Sequence, residues 1–303
     1  MKSTVVIGGT GLIGRKLTES LLDEGYEVKI LSRDKSKIEK IFGNRVIPAT
    51  WNGHSSEELA AIINGSDILV NLTGHSIAVP WSKPNRTKIW NSRVGITERI
   101  AMAINRCELP PKVFVQASAV GFYNHNSTDR VNENSPRGTG FLSNLTAEWE
   151  NRSIVCSAKT RVVIIRTGIV LSNAGGFLPK ILKPLKLYLG AILGSGKQII
   201  PWIHIDDHIS AIMFLISSNA NGAFNLVSPN PVSFSNLSKA IAKRTQRPVL
   251  FRIPSFILKL ALGSMANEVL LSSQNVEPKK LKELGFEWKF LEIENALNDL
   301  IPE

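Results

Sequence analysis

The sequence predicts an α/β fold in which a parallel sheet carries helices on both faces, and three observations predict it. A β-rich run at residues 3–7 ends in a glycine cluster and passes directly into helical spacing. Further β-rich runs recur with helical stretches between them, the crossovers that parallel neighbours require. Those runs are continuously apolar rather than alternating, as strands covered on both faces are.

Taken in order, residues 12–24 place Leu12, Leu17, Leu21 and Leu22 at helical spacing, and Gly25 closes that helix. Strands are expected at 28–32, 45–49, 67–72, 112–117 and 161–166, with helices at 56–63, about 86–107 and 141–157. Past Thr167 the rhythm changes. Gly175, Gly176, Gly190, Gly194 and Gly196 divide the chain into loops and short helices. Asp206 and Asp207 suit a helix N-cap, residues 223–227 read as a strand returning to the sheet, and Pro278 and Gly285 bracket a late helix in Pro-first, Gly-last order. The expected division is an α/β domain over residues 1–228 and a smaller, mostly helical lobe over 229–303.

The run Val5-Val6-Ile7-Gly8-Gly9-Thr10-Gly11-Leu12-Ile13-Gly14 is a strand, a tight glycine turn and a helix start. Such a turn brings backbone N–H groups to a pyrophosphate, which a Cβ would block, and Gly14 lets the helix pack close to the strand. The choice of dinucleotide falls to the end of the second strand. An acid there would accept from a ribose hydroxyl, but this chain has Leu31-Ser32-Arg33. Arg33 can grip a 2′-phosphate bidentately and Ser32 can donate to it, which favours NADP. Two alternatives stay open: Asp34 as the ribose acid if the strand ends later, and Arg33 as a solvated helix-start residue.

Composition narrows the function classes. The chain has 303 residues, is 43% hydrophobic and 20% charged, and carries a net charge of +11. That is material for a large core and fits neither a disordered nor a fibrous class. Residues 1–14 are too rich in glycine and too poor in basic flank for a secretory signal. The longest apolar stretch, 181–193, is interrupted by Lys183, Pro184 and Lys186. A cytoplasmic protein with no membrane partner is expected. The basic excess reads as scattered along the chain, with a pocket for a polyanionic cofactor. Nucleic-acid binding has only the charge to support it. Cys107 and Cys156 lack metal or disulfide spacing and are expected to be reduced.

Read together, Gly8–Gly14, Asn71-Leu72-Thr73-Gly74, Ser92-Arg93, Ser118-Ala119-Val120-Gly121-Phe122-Tyr123 and Trp202-Ile203-His204-Ile205-Asp206-Asp207 fall in the order of an extended short-chain dehydrogenase/reductase. The chain resembles its atypical "epimerase family" subgroup. The segments Leu262-Gly263-Ser264-Met265-Ala266, Leu271-Ser272-Ser273-Gln274 and Pro278-Lys279-Lys280-Leu281 are similar to that subgroup's C-terminal domain of unknown function. The resemblance implies a nucleotide-binding, Rossmann-type NADP domain over residues 1–228 and a C-terminal substrate lobe over 229–303, with the loops at 170–200 contributing to the substrate side. It implies that Ser32 and Arg33 hold the adenosine phosphate. It also implies that Leu72 and Thr73 line the adenine and ribose, that Arg93 reaches the cofactor, and that Thr167, Gly168 and Ile169 sit near the nicotinamide. Gly74 and the Ala117–Ser118 step fall at carboxyl ends of central strands, where open α/β sheets bind ligands.

The wider superfamily uses a tyrosine and, four residues later, a lysine that lowers its pKa. Here the corresponding helix offers Leu142 with Thr146, or Phe141 with Leu145, and neither is that pair. Ser118 and Tyr123 are the candidate substitutes, against a strand-capping role for the first and packing for the second. His75 follows Gly74 at a pocket edge. His204, Asp206 and Asp207 have the look of metal ligands but belong to a strand-to-helix corner, so no metal is expected. Trp81, Trp90 and Trp202 could line an apolar pocket or serve the core. Two functions follow: an NADP-dependent oxidoreductase or epimerase acting on a small polar molecule, and a non-catalytic NADP(H)-binding redox sensor.

Overall fold

The computed structural model describes residues 2–302. Seven strands form one sheet: β1 (Ser3–Ile7), β2 (Glu27–Ser32), β3 (Ile47–Thr50), β4 (Ile68–Asn71), β5 (Val113–Ala119), β6 (Arg161–Thr167) and β7 (Gly222–Leu226). Their spatial order is β7-β6-β5-β4-β1-β2-β3, and every pair is parallel. β1 has β2 on one side, with Val5 opposite Lys29, and β4 on the other, with Val5 opposite Leu69. The strand order therefore reverses beside β1, and a reversal of this kind opens a crevice at the carboxyl ends of the strands.

The continuous apolar runs have a direct cause. Val6 enters one core, with Leu17 and Leu21 of α1 (Leu12–Asp23), while its neighbours Val5 and Ile7 enter a second core on the opposite face. That second core takes Leu59 and Ile63 from α3 (Ser56–Ile63) and Ile100 and Ile104 from the helix at Ile96–Arg106. With both faces covered, the strand interiors are filled with apolar side chains on both sides.

One helix stands where none was expected. α2 (Lys35–Phe42) turns Ile38 and Phe42 into the core and is capped by Asp34, whose carboxylate accepts from the amides of Ser36 and Lys37. The long stretch expected at about 86–107 is α4 (Lys83–Trp90) continuing through a π-turn (Asn91–Gly95) into α5 (Ile96–Arg106). α6 (Phe141–Ile154), α7 (Leu178–Lys186) and α8 (Ile205–Ser217) follow. The cap of α8 is His204, whose Nδ1 accepts the Asp206 amide. Asp206 and Asp207 lie in the first turn, and the Asp207 carboxylate receives the amides of Lys289 and Phe290.

Beyond residue 229 the chain forms α9 (Phe234–Thr245), α10 (Ser255–Leu262), α11 (Lys279–Glu283) and α12 (Ile293–Leu300). It is less purely helical than expected. Short strands at Val232–Ser233, Val249–Ile253 and Ser273–Val276 pair with Ile199–Ile200, Gly190–Leu193 and Asn126–Val131, tying this part to earlier chain. Cys107 and Cys156 are buried and free, and burial pushes the Cys156 thiol up to about 12. Among the described residues no helix is long and apolar enough to cross a membrane.

Candidate cofactor and active site

The glycine turn is dictated by contacts rather than by flexibility. Gly8 has φ +87°, and a Cβ on it would lie 3.0 Å from the Leu72 backbone, so the turn presses against the end of β4. A Cβ on Gly14 would collide with the Gly8 carbonyl. Gly11 donates to the Gly8 carbonyl at 3.0 Å and begins α1 without a side-chain cap, and no acid stands in the first turn. The amides of Leu12, Ile13 and Gly14 therefore start a helix whose positive end has no side-chain acceptor, the requirement of an anion site.

At the tip of β2, Ser32 is half-buried and Arg33 exposed. Asp34 is committed to α2: Oδ1 takes the Ser36 hydroxyl at 2.6 Å and two backbone amides, and these bonds hold its carboxyl below the usual range. Beyond β4, Thr73 is tied to Asn71 Oδ1 through both its amide and its hydroxyl, and Asn71 itself bonds Gln116 inside the sheet. Arg93 lies in the π-turn against Gly74. It donates to the His75 carbonyl at 2.9 Å, lies 5.2 Å from the Trp149 ring centroid, and its pKa is lowered to about 10 by burial. A π-turn inside a helix re-aims side chains, and here it delivers both Ser92 and Arg93 to the loop after β4.

Across β5, β6 and β7 the polar groups are arranged differently. Ser118 donates to Glu150 at 2.6 Å, Glu150 takes Arg166 in a fork at 2.9 and 2.8 Å, Arg166 donates to the Tyr123 hydroxyl at 2.9 Å, and that hydroxyl donates to Asn225 at 2.7 Å. Tyr123 is 1% exposed and Ser118 4%, and burial pushes the phenol up to about 12. Both hydroxyls thus face the protein interior and already have partners. Glu150, Arg166 and Asn225 were not foreseen in this role. The usable signal was Arg166 itself, a cation directly after the apolar, buried run from Val162 to Ile165.

Thr167, Gly168 and Ile169 run from β6 into a short strand, Ile169–Leu171, which pairs with Trp202–His204. A Cβ on Gly168 would strike the Pro201 carbonyl, and Thr167 Oγ1 lies 3.0 Å from Nε2 of the buried His208. The carboxyl ends of β1, β2, β4, β5 and β6 therefore bring Gly8 to Gly14, Ser32, Arg33, Leu72 to Gly74, Ala117 and Thr167 to Ile169 to one edge of the sheet. His75 is exposed on this edge. Trp202 is buried in the core, and Trp81 packs edge-on to Phe141 under Arg86. His204, Asp206 and Asp299 offer ligand atoms within 4.8 Å of one another. There the His204 Nδ1 already accepts the Asp206 amide, and Asp206 pairs with Lys16 at 3.2 Å.

This sheet, its order and its glycine crevice define an α/β protein of the Rossmann type. Residues 4–226 match the NAD dependent epimerase/dehydratase family, and residues 253–300 match a domain of unknown function, DUF1731. The chain belongs to that epimerase/dehydratase family. It is 36% identical over 299 residues, 98% of this chain and 86% of the relative, to the chloroplastic epimerase family protein SDR39U1 homolog of Arabidopsis thaliana. It is 34% identical over 309 aligned positions, which cover both chains in full, to the epimerase family protein SAR0825 of Staphylococcus aureus. The crystal structure of human epimerase family protein SDR39U1 (isoform 2) with NADPH superposes with a TM-score of 0.88 at 31% identity, covering 99% of each chain.

Proposed function

We propose that the protein binds NADP(H) at the crevice beside β1 and works as an oxidoreductase or epimerase on a small polar molecule, without a Tyr–Lys pair. The observation that carries this reading is the division of labour at the tip of β2. Asp34, the acid that could have selected a ribose hydroxyl, is consumed by the cap of α2, which leaves Arg33 and Ser32 to meet a phosphate. The likeness to a human relative described with NADPH supports the same choice.

On this reading Gly8, Gly11, Leu12, Ile13 and Gly14 cradle the pyrophosphate, and Leu72, Thr73 and Gly74 border the adenosine side. Arg93, Ala117, Thr167, Gly168 and Ile169 surround the nicotinamide end. The bound cofactor would supply reversible hydride transfer. The late chain closes the substrate side, since Ser264 takes a hydrogen bond from Arg86 at 2.7 Å and Glu268 receives the Leu142 amide at 2.8 Å. The burial of Ser118 and Tyr123 supports positioning roles for both: together with Glu150 they fix Arg166 and the ends of β5 and β6.

A second reading, a non-catalytic NADP(H) sensor, is favoured by one observation. Where the superfamily's tyrosine would stand the helix has Leu142, and at the lysine's place Thr146 Oγ1 is bonded back to the Leu142 carbonyl at 2.8 Å. Two measurements test these readings. Arg33→Ala is expected to weaken NADPH roughly tenfold to a hundredfold, the loss of one charge-assisted phosphate contact, and to leave NADH within about twofold; equal losses would remove Arg33 as the phosphate reader. Loss of NADPH absorbance against a panel of carbonyl compounds separates enzyme from sensor, the sensor binding tightly without turnover.

A further inference from the structure

The net charge of this protein is not scattered as its sequence first suggests. Residues 151–267 hold 14 Lys and Arg but only two acids, Asp206 and Asp207, while the remainder of the chain is close to neutral. From residue 208 to residue 267 there is no Asp or Glu at all. The fold gathers half of these cations around α7 and α9, while Arg152 and Arg166 pair with Glu98 and Glu150 elsewhere. Lys180, Lys183 and Lys186 recur every third residue on the exposed side of α7, and Lys239 and Lys243 stand one turn apart on α9. Between these helices lies a groove of about 1560 Å³ lined by Lys183, Lys186, Lys239, Lys243, Arg244 and Arg247. Its acids, Glu292 and Glu294, come from the α12 side, and Glu292 is engaged by Asn230 at 2.8 Å. Among the described residues Lys183, Lys186, Lys239, Lys243 and Arg247 make no ion pair.

Beside this groove the surface turns apolar. Leu187, Tyr188 and Leu189 follow α7 and are exposed, Leu187 to 70%. The next residues, Gly190–Leu193, pair with Val249–Ile253, which exposes Leu250 and Phe251. The Arg247 guanidinium lies 4.5 Å from the Tyr188 ring centroid, joining groove and patch. The Gly194 amide bonds the Ile253 carbonyl at 2.8 Å, so α10, which begins two residues later, starts from the same edge. On α10, Phe256 and Leu260 are one turn apart and point outward, 67% and 88% exposed, with Lys259 between them in sequence, while Leu258 points inward and is buried. Exposed leucines and phenylalanines grouped on neighbouring elements in this way mark a surface that meets a partner.

We infer that this face docks on the surface of an anionic phospholipid bilayer, with the α7–α9 cations taking headgroup phosphates and Leu187, Leu189, Leu250, Phe251, Phe256 and Leu260 entering the interface. Apolar side chains flanked by Lys and Arg, with no acid between residues 208 and 267, match the two attractions such a surface offers. A second copy on the same face would bring its cations against these, and a nucleic acid has no use for exposed leucines. The contact lies on the surface and requires no spanning helix.

The full-length protein is sedimented with vesicles of phosphatidylcholine alone and of phosphatidylcholine with about one-third phosphatidylglycerol. Binding is expected to the anionic vesicles, with at least about tenfold preference, and to weaken as salt rises. Phe256→Ser with Leu260→Ser, and separately Lys183→Glu with Lys186→Glu, are each expected to lower the partition coefficient more than about tenfold while the melting temperature stays unchanged. Equal binding to both vesicles, no binding of the wild-type chain, or a dimer in solution abolished by Leu260→Ser with no vesicle binding would each overturn the inference. Because the wild-type comparison decides the outcome alone, a variant that failed to fold would not rescue it.

Discussion

The turn from Gly8 to Gly14 and the network around Arg166 are both polar constructions at the carboxyl ends of strands, yet they differ in what they leave over. In the network every group is spoken for: Ser118, Glu150, Arg166, Tyr123 and Asn225 satisfy one another out of reach of water. In the turn four of the seven residues are glycine, and the backbone amides at the start of α1 have no side-chain acceptor. A buried polar group must be paired within the protein, and an exposed one can be held open for a ligand. Hydroxyls that sit near a site in sequence can therefore belong to its scaffold, and a stretch with no functional side chain at all can be the binding element.

The strongest way to break this contrast is to remove one partner from the network. Glu150→Ala leaves Arg166 charged, buried and unpaired, and is expected to cost about 3–5 kcal/mol in urea unfolding. A loss below about 1 kcal/mol would show that water reaches Arg166 and that the network is open.

The turn answers to a different change. Gly14→Ala sets a Cβ against the Gly8 carbonyl, backbone against backbone, and is expected to cost about 1–3 kcal/mol and to abolish NADPH binding measured by fluorescence. Undiminished NADPH affinity would move the phosphate site away from α1.

A third test uses pH beside Thr167. Burial pushes the His208 imidazole down to about 3 from an ordinary 6.5, so between these values the unfolded chain binds the extra proton. Stability should fall as pH drops from 6.5, by about 1–2 kcal/mol on reaching about pH 5. His208→Gln should flatten that part of the profile, and an unchanged slope would assign it to other groups. The smallest effect is expected of Tyr123→Phe, about 1 kcal/mol of stability with turnover and NADPH affinity kept; a large fall in turnover at constant stability would return Tyr123 to the chemistry.

Much of this was legible from the residues because it is local. A strand, a glycine turn and a helix are read within twelve residues, and the register of apolar side chains announces which segments lie inside. α2 is hard to read from the sequence although its cap, Asp34, and its inward pair, Ile38 and Phe42, stand at helical spacing, because an acid at the tip of β2 also fits a ribose ligand. The partners of Arg166 were hidden for another reason. Glu150 sits 16 residues before it on a helix and Asn225 lies on a different strand, and only the crossovers bring them together. The basic face was hidden in the same manner, its cations spread from Lys180 to Arg247 until α7 and α9 align them.

By itself the sequence determined the parallel sheet, the position of the glycine turn and the cation at the tip of β2, since each depends on neighbours within a few residues. Tertiary structure alone decided that Ser118 and Tyr123 turn inward, and that one face is both basic and apolar. Those outcomes depend on which groups distant segments bring within hydrogen-bonding distance, and spacing along a chain carries no measure of that.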